Sequence, residues 1–220
     1  MTLRALNILK KSDIILCEDT RRSGKLLSNY QIKSKLIPYH KFNEKKVSSK
    51  VINFIENGKI VSLISDAGTP AISDPGLVLV NKCIEEELNV FPIPGPSAIT
   101  SAISISGFSD KFLFYGFLSK KENEINTVLK NLSNLNYSIV FFIPAQKINF
   151  YIKFFKIYFS NRKILVAKEM TKLHEAFIRE DVKTIKSFNS NIKGEFTVVL
   201  SKVIENKNNK NIIDESIKKE

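Results

Sequence analysis

The sequence predicts an α/β fold of two domains, with a parallel sheet in the N-terminal domain and a mixed sheet in the C-terminal domain. Short apolar runs alternate with helical patterns over residues 1–108, as in parallel strands joined by crossover helices. Strand-like runs predominate over residues 109–203, which favours a mixed sheet there. Three apolar runs of the first half are followed by loops rich in Gly, Pro, Ser, Thr and Asp, and such loops line the ligand clefts of open α/β sheets.

The elements of the first domain follow from the spacing of its apolar residues. Leu3, Leu6 and Leu9 share one face of a helix predicted over residues 2–11. Apolar runs predict buried strands over residues 14–18 and 60–65, a brief strand over residues 36–38 and a further strand over residues 89–93. Helices are predicted between and after them, over residues 25–30, 44–56, 76–87 and 97–106.

The second domain is predicted from five strand-like runs with fewer helices between them. They cover residues 112–118, 138–143, 164–169, 174–178 and 195–200. The tail over residues 204–220 is rich in Lys and Asn, and we expect it to be disordered because it has too few apolar residues to pack.

The composition is that of a soluble globular protein, with 43% hydrophobic and 25% charged residues. No apolar run reaches the length of a membrane span and no signal peptide is visible, so we expect a cytoplasmic protein without a membrane partner. Cys17 and Cys83 lie in apolar segments and are expected to be unpaired thiols, which suits a reducing compartment. No spacing of Cys and His indicates a metal site.

The net charge of +12 favours a polyanionic partner, because phosphate contacts supply most of the non-specific affinity for nucleic acids. The abundance of Lys, Asn and Ile is also typical of AT-rich genomes, so a mutational origin of the charge stays open. We favour the functional explanation.

The loop SDAGTPAISDPG at residues 65–76 is the first candidate binding site. Gly68 and Gly76 allow a ligand to approach the main chain closely, and the two prolines stiffen the turns. A role as the N-terminal cap of the next helix would by itself explain Asp74, so this alternative stays open for that residue. The loop has neither the spacing of a phosphate loop nor a Gly-x-Gly-x-x-Gly motif, which disfavours a nucleoside triphosphate or a dinucleotide.

Two further loops add polar groups at strand ends. EDTR at residues 18–21 follows the first apolar run, where four polar residues indicate a site more often than a solvated turn. PGPSA at residues 94–98 precedes a helix. Its Ser97 could cap that helix or bind a carboxylate at the helix N-terminus, and both alternatives stay open.

These motifs together resemble those of a known family. The chain carries, in family order, EDTR at 18–21, SDAGTPAISDPG at 65–76, PGPSA at 94–98, GFLSKK at 116–121, EMTK at 169–172 and KGE at 193–195. This set resembles the bacterial ribosomal RNA small subunit methyltransferases of type I, a branch of the tetrapyrrole (corrin/porphyrin) methylase superfamily. The resemblance extends from residue 1 to about residue 202.

The resemblance implies a tetrapyrrole-methylase-like fold that binds S-adenosylmethionine in a cleft between the two domains. It implies methylation of a ribose 2′-hydroxyl of a cytidine of 16S rRNA, in the decoding centre of the assembled small ribosomal subunit. It also implies a homodimer. Carried over by motif, the cofactor-binding positions are Asp66, Ala67, Gly68, Thr69, Ile72, Ser97, Ala98 and Phe142.

The resemblance also suggests which residues act on the substrate. A ribose hydroxyl is a weak nucleophile, so a base or an electrostatic partner must take up its proton as the methyl group is transferred. Asp19 or Glu169 is the candidate base or water organiser, and Arg21 and Lys172 would stabilise charge or hold phosphate. A plain salt bridge at a strand end is the alternative for Glu169 and Lys172.

The chain departs from the family pattern in four places. The family has a further central strand before the TLRAL helix at residues 2–6. Either the natural start lies upstream of Met1, or this form folds poorly and binds the cofactor weakly, and we favour the first alternative. Residues 141–147 read FFIPAQK where the family reads FYESPHR, and residues 40–44 read HKFNE where the family has HxHNE. A C-terminal helical extension is also missing.

Two alternatives to a ribose methyltransferase stay open. The departures would suit a degenerate remnant that binds rRNA without turnover. A small-molecule tetrapyrrole methylase is less favoured because it needs no charge of +12, and its loop should read Gly-Asp-Pro where this chain has Gly68-Thr69-Pro70.

Overall fold

The computed structural model describes residues 1–189, 192 and 194–204 of the 220-residue chain. The chain divides into two compact units, Met1–Ser97 and a second unit that begins at Ala98. The sequence analysis placed the domain boundary later, after residue 108, and that boundary differs by one helix. Apart from Ile204, the tail predicted to be disordered lies outside the described residues.

The first unit alternates helices and strands. Its helices are α1 (Leu3–Lys11), α2 (Thr20–Asn29), α3 (Glu44–Glu56) and α4 (Leu77–Glu85). Its strands are β1 (Ile14–Cys17), β2 (Lys35–Pro38) and β3 (Val61–Leu63), and they form a parallel sheet in the order β2-β1-β3. The predicted parallel sheet is therefore present.

Strand β1 is central because it pairs with β2 on one side and β3 on the other, and all four of its residues are buried. Ile14 and Leu16 pack with apolar residues of α3 and α4, while Ile15 points to the other face and packs with Leu9 and Leu27 of α1 and α2. This two-sided burial explains why β1 is a continuous apolar run.

The predicted strand over residues 89–93 is wrong. Residues 88–97 form no regular element, and Phe91 is 72% exposed. Strand β3, the last strand of the sheet, pairs only with β1 among the described residues. An apolar run becomes a strand only where a neighbouring strand takes up its backbone hydrogen bonds, and here no such partner is described.

The second unit contains a mixed five-stranded sheet. Its strands are β4 (Phe112–Phe117), β5 (Ser138–Pro144), β6 (Lys163–Lys168), β7 (Ala176–Asp181) and β8 (Glu195–Leu200), in the order β4-β5-β8-β6-β7. Only β4 and β5 are parallel. Its helices are α5 (Ala98–Ser106), α6 (Glu122–Ser133) and α7 (Ile148–Tyr158), with a short 3-10 turn at Ala145–Lys147 before α7.

The two faces of this sheet carry different helices. Ala102 of α5 packs with Val140, Leu165 and Val199 on one face, which is why α5 belongs to the second unit. Helices α6 and α7 cover the other face with a larger apolar core that includes Phe141. None of the helices among the described residues is long and apolar enough to cross a membrane.

Candidate functional site

The EDTR loop begins immediately after β1. Asp19 caps α2: one carboxylate oxygen accepts from the backbone N–H of Arg21 at 2.8 Å, and both oxygens accept from the Arg21 guanidinium at 3.1 and 2.8 Å. These bonds, chiefly the one from the Arg21 side chain, hold the pKa of the Asp19 carboxyl far below its usual range. A carboxylate whose two oxygens are so engaged is a weak proton acceptor, so the geometry favours a structural part for Asp19.

Two residues beside Asp19 join the EDTR loop to the loop that follows β3. The carboxylate of Glu18 accepts from the backbone N–H of Asp66 at 3.2 Å. Arg22, on α2, forms an ion pair of 3.1 Å with the side chain of Asp66. Asp66 is therefore held through its main chain and its side chain. Arg22 is not among the residues that the sequence predicted for the site, and Glu18 is among them only as part of EDTR.

The loop over residues 65–76 has an unusual backbone. Ala71 and Ser73 have φ of 65° and 66°, a left-handed conformation that few non-glycine residues adopt. Gly76 has φ of 147°, and a Cβ there would lie 2.9 Å from a methyl of Leu63. The loop is therefore held in one backbone conformation at some cost in conformational energy.

Gly68 is the part of this loop best suited to a bound molecule. Its φ is 82°, and nothing lies within 4 Å of the place where a Cβ would be. Residues 66–69 are exposed. A ligand can therefore approach the main chain here, as sequence analysis expected.

The third motif loop contacts the second. The hydroxyl of Thr69 donates to the carbonyl of Pro96 at 3.5 Å, just before Ser97. Ile72 is 43% exposed on the same loop as Thr69. Within the first unit the structure thus brings together most of the predicted residues, namely Asp19, Arg21, Asp66, Ala67, Gly68, Thr69, Ile72 and Ser97.

The remaining predicted residues lie in the second unit. Ala98 is the first residue of α5. Phe142 lies in β5, half-buried, with the rings of Phe114 and Phe117 at 5.0 and 5.5 Å from its own. The predicted cofactor cleft between the two domains stays a prediction.

Glu169 and Lys172 form a compact cluster at the end of β6. One oxygen of Glu169, Oε1, accepts from Nζ of Lys172 at 2.9 Å and from the backbone N–H of Glu195 at 3.2 Å. The side-chain bond to Lys172, more than the backbone bond, lowers the pKa of the Glu169 carboxyl. Both bonds reach the same oxygen, and within the described part of the chain Oε2 has no hydrogen-bond partner.

The backbone around Glu169 also departs from ordinary geometry. Glu169 has φ of 47° and Thr171 has φ of 66°. Across the sheet, Gly194 precedes β8, and a Cβ on it would overlap the carboxylate of Glu169. In the sequence, Gly194 stands out only as part of the KGE motif. A glycine directly before a strand was the one available signal that something approaches the chain closely there.

The segment FFIPAQK, which departs from the family, continues β5. Ile143 and Ala145 are fully buried in the core beneath α6 and α7. Gln146 and Lys147 are exposed, and Nζ of Lys147 lies 5.8 Å from the centre of the Phe150 ring. Position 143, where the family has a glutamate, is therefore filled by an apolar side chain of the core, and the replacement leaves no unpaired charge there.

Comparison with known proteins places this chain among methyltransferases. The family described as Tetrapyrrole (Corrin/Porphyrin) Methylases matches residues 1–186. A protein named ribosomal RNA small subunit methyltransferase I from Thermotoga maritima is 42% identical over 204 residues, covering 91% of each chain. The protein of the same name from Mesomycoplasma conjunctivae is 43% identical over 204 residues, covering 91% of this chain and 84% of that one.

The similarity extends to solved structures. The crystal structure of the methyltransferase CobJ superposes with a TM-score of 0.68 at 15% identity, covering 92% of this chain and 88% of that one. At that identity the likeness shows the fold alone, and the fold is the one that the sequence motifs predicted.

Proposed function

The chain belongs to the family of ribosomal RNA small subunit methyltransferase I, within the tetrapyrrole (corrin/porphyrin) methylases, and from this premise we propose that it 2′-O-methylates a cytidine of 16S rRNA in the small ribosomal subunit. The chain is thus a methyltransferase that depends on S-adenosylmethionine. The ribose target, the assembled subunit, a homodimer and a cytoplasmic location are parts of the proposal.

The observation that carries the proposal is the joining of the three motif loops at one edge of the first sheet. Asp66 is bound by Glu18 and Arg22, and Thr69 contacts the loop before Ser97. Fixed, exposed main chain beside Gly68 suits a ligand with hydrogen-bonding groups and a flat adenine. The residues present therefore fit S-adenosylmethionine.

When bound, S-adenosylmethionine supplies a methyl group already activated by the positive sulfonium. Asp66, Ala67, Gly68, Thr69, Ile72, Ser97, Ala98 and Phe142 are the residues that we propose to hold it. Their task is orientation, because a well-placed donor and acceptor need little further activation.

Glu169 is our candidate for the group that accepts the ribose proton. Lys172 and the N–H of Glu195 bind Oε1 and lower the pKa of the Glu169 carboxyl, which leaves Oε2 to accept a hydrogen bond from an incoming hydroxyl. An ionised carboxylate orients the hydroxyl and takes up its proton as the bond to carbon forms. Asp19 is the weaker candidate because Arg21 engages both of its oxygens.

The basic side chains support an RNA substrate. Arg21 and Lys172 stay 89% and 59% exposed in their side chains, so each can also reach a phosphate. The chain carries 34 Lys and Arg against 22 Asp and Glu, and a small-molecule substrate needs no such excess.

Calorimetric titration of S-adenosylmethionine into wild type, Thr69→Tyr and Thr127→Tyr tests the assigned cofactor site. Thr127 is an exposed threonine of α6, outside the three motif loops of the first unit, and serves as the matched control. We expect binding by wild type and by Thr127→Tyr, and loss of binding by folded Thr69→Tyr. Equal binding by all three proteins would remove Thr69 from the site.

The alternative hypothesis, a degenerate remnant that binds rRNA without turnover, predicts a different result for the wild-type protein. A folded wild-type protein that binds small subunits but not S-adenosylmethionine would support the remnant and contradict a methyltransferase. The altered FFIPAQK segment is the observation on which this second candidate depends.

A further inference from the structure

The loop that follows β2 carries an aromatic ring with almost no protein around it. Phe42 is 94% exposed, the largest exposure among the large hydrophobic residues described. Its only ring neighbour among the described residues is His40, 6.1 Å away in an edge-on arrangement. Single exposed apolar residues are common, so exposure alone does not indicate a function. The hydrogen bonds that hold the loop, together with the charges around it, do indicate a function.

The turn that presents Phe42 is rigidly built. The side chain of Asn43 accepts from the backbone N–H of His40 at 2.8 Å and donates to the carbonyl of Pro38 at 2.9 Å. The backbone N–H groups of Asn43 and Glu44 both donate to the carbonyl of His40. Four hydrogen bonds thus fix the turn around a ring that they do not bury.

The turn lies at the same edge of the sheet as the candidate site. Strands β1 and β2 are parallel and end together, with Cys17 opposite Pro38. The backbone N–H of Tyr39 donates to the carbonyl of Cys17 at 2.8 Å, so the chain leaves β2 beside the start of the EDTR loop. Phe42 therefore projects from the edge at which Glu18 and Asp19 emerge.

The charges around the ring favour a nucleic acid. Lys41, Lys45 and Lys46 are exposed, and only Glu44 opposes them within residues 41–46. Lys45 and Lys46 lie in the first turn of α3, where the helix dipole disfavours cations. Phosphates bound at these two lysines would offset the unfavourable interaction of their charges with the helix dipole. An exposed ring flanked by lysines is how proteins hold single-stranded nucleic acids.

We infer that Phe42 is a stacking platform for an unpaired base of the RNA substrate, with Lys41, Lys45 and Lys46 contacting the neighbouring phosphates. This inference rests on the proposed function, because it assigns a binding role beside the same site. It concerns this chain in particular, since the family pattern has a histidine where this chain has Phe42.

A tryptophan reporter tests the stacking directly, because the chain contains no Trp. Phe42→Trp is titrated with an unstructured oligocytidylate and with inorganic polyphosphate. Ile157→Trp is the matched control: Ile157 is 68% exposed on α7 and lies next to Lys156. We expect the oligocytidylate to quench Phe42→Trp strongly, and polyphosphate to leave both reporters unchanged.

Three results would overturn the inference. The first is equal quenching by polyphosphate, since polyphosphate has no base to stack. The second is equal quenching of the two reporters. The third is an unchanged Phe42→Trp signal on addition of oligocytidylate. The third result would overturn the inference even if whole small subunits changed the signal.

A kinetic experiment separates this inference from the proposed function. Phe42→Ala should raise KM for small subunits about tenfold, the magnitude expected from losing one stacked base, with kcat and the Kd for S-adenosylmethionine unchanged. Phe42→Tyr should retain the wild-type KM. Methyl transfer by wild type with an unchanged KM in Phe42→Ala overturns only the stacking role. Quenching without any methyl transfer by wild type overturns only the proposed function.

Discussion

The carboxylate of Glu169 occupies the space that a side chain on Gly194 would need. The two residues belong to neighbouring strand ends, where the backbone N–H of Glu195 also binds Glu169. Residue 194 therefore has to be glycine for two reasons, the carboxylate beside it and its own φ of 99°. The pair links a backbone requirement to the proposed proton acceptor.

Gly194→Ala is expected to lower kcat for methyl transfer about tenfold or more, because displacing a catalytic group by a fraction of an ångström is costly. The matched control is Gly58→Ala, at a φ of 75° with nothing within 4 Å of the added Cβ. Backbone strain costs both variants about 1–2 kcal/mol, but only in Gly194→Ala does the added Cβ overlap a carboxylate. Equal activities in the two variants, measured on small subunits, would show that the position of Glu169 is unimportant.

The pairing of Glu169 with Lys172 predicts a pH effect. The bond from Lys172 lowers the pKa of the Glu169 carboxyl, so Glu169 stays ionised and active well into the acid range. Removing the cation in Lys172→Met lets that pKa rise, and the acid limb of the kcat profile should move to higher pH. A pH–rate profile of wild type, Lys172→Met and Glu169→Gln measures the shift. Identical acid limbs in wild type and Lys172→Met would exclude Glu169 as the titrating group.

Arg162 predicts a large effect on stability with no direct part in catalysis. It is 1% exposed, and its guanidinium donates to the carbonyls of Ser133, Leu135, Tyr137 and Ser201. Arg162→Met leaves four carbonyls, one of them buried and three partly buried, without this donor, so the free energy of unfolding should fall by about 3 kcal/mol or more. Urea denaturation measures this loss.

Arg179→Met is the control for Arg162→Met. Arg179 is exposed and donates to one carbonyl, that of Ile105. Its replacement should change the free energy of unfolding by no more than about 0.5 kcal/mol. Similar losses in the two variants would mean that these four carbonyls find other partners once Arg162 is gone.

The ion pair between Arg22 and Asp66 predicts an effect on cofactor affinity. Because the Arg22 side chain is 73% exposed, the pair adds little to stability. Arg22→Ala frees one of the two attachments of Asp66, so we expect the Kd for S-adenosylmethionine to rise about threefold to tenfold, which is roughly 1 kcal/mol. Arg4→Ala, on the exposed side of α1, should leave the Kd unchanged. An unchanged Kd in Arg22→Ala would show that Glu18 alone positions the loop.

Much of the fold could be predicted because its signals are local. Helix α3 has the predicted bounds since its apolar spacing is regular and Asn57-Gly58 ends it, and strand β8 has the predicted bounds since it is a buried apolar run. Helix α2 begins five residues earlier than predicted. Its cap, Asp19, lies inside a motif that had been interpreted only as a site.

The rest depended on contacts between distant parts of the chain. Residues 89–93 have the pattern of a strand, but no pattern shows whether a neighbour will pair with it. The three motif loops were predicted, whereas Glu18 binds Asp66 across 48 residues and Glu169 binds Glu195 across 26. Such pairings depend on which elements the topology places side by side, and that topology cannot be read from a single sequence.

The most direct test of the proposed function is methyl transfer followed by identification of the product nucleoside. Undermethylated small subunits are incubated with the purified protein and S-adenosylmethionine carrying a labelled methyl group, and the rRNA is then digested to nucleosides. The account predicts label in 2′-O-methylcytidine of 16S rRNA, and none when the protein is Glu169→Gln or Thr69→Tyr. Label in a methylated base, or no label with a folded protein that binds the subunit, would contradict it.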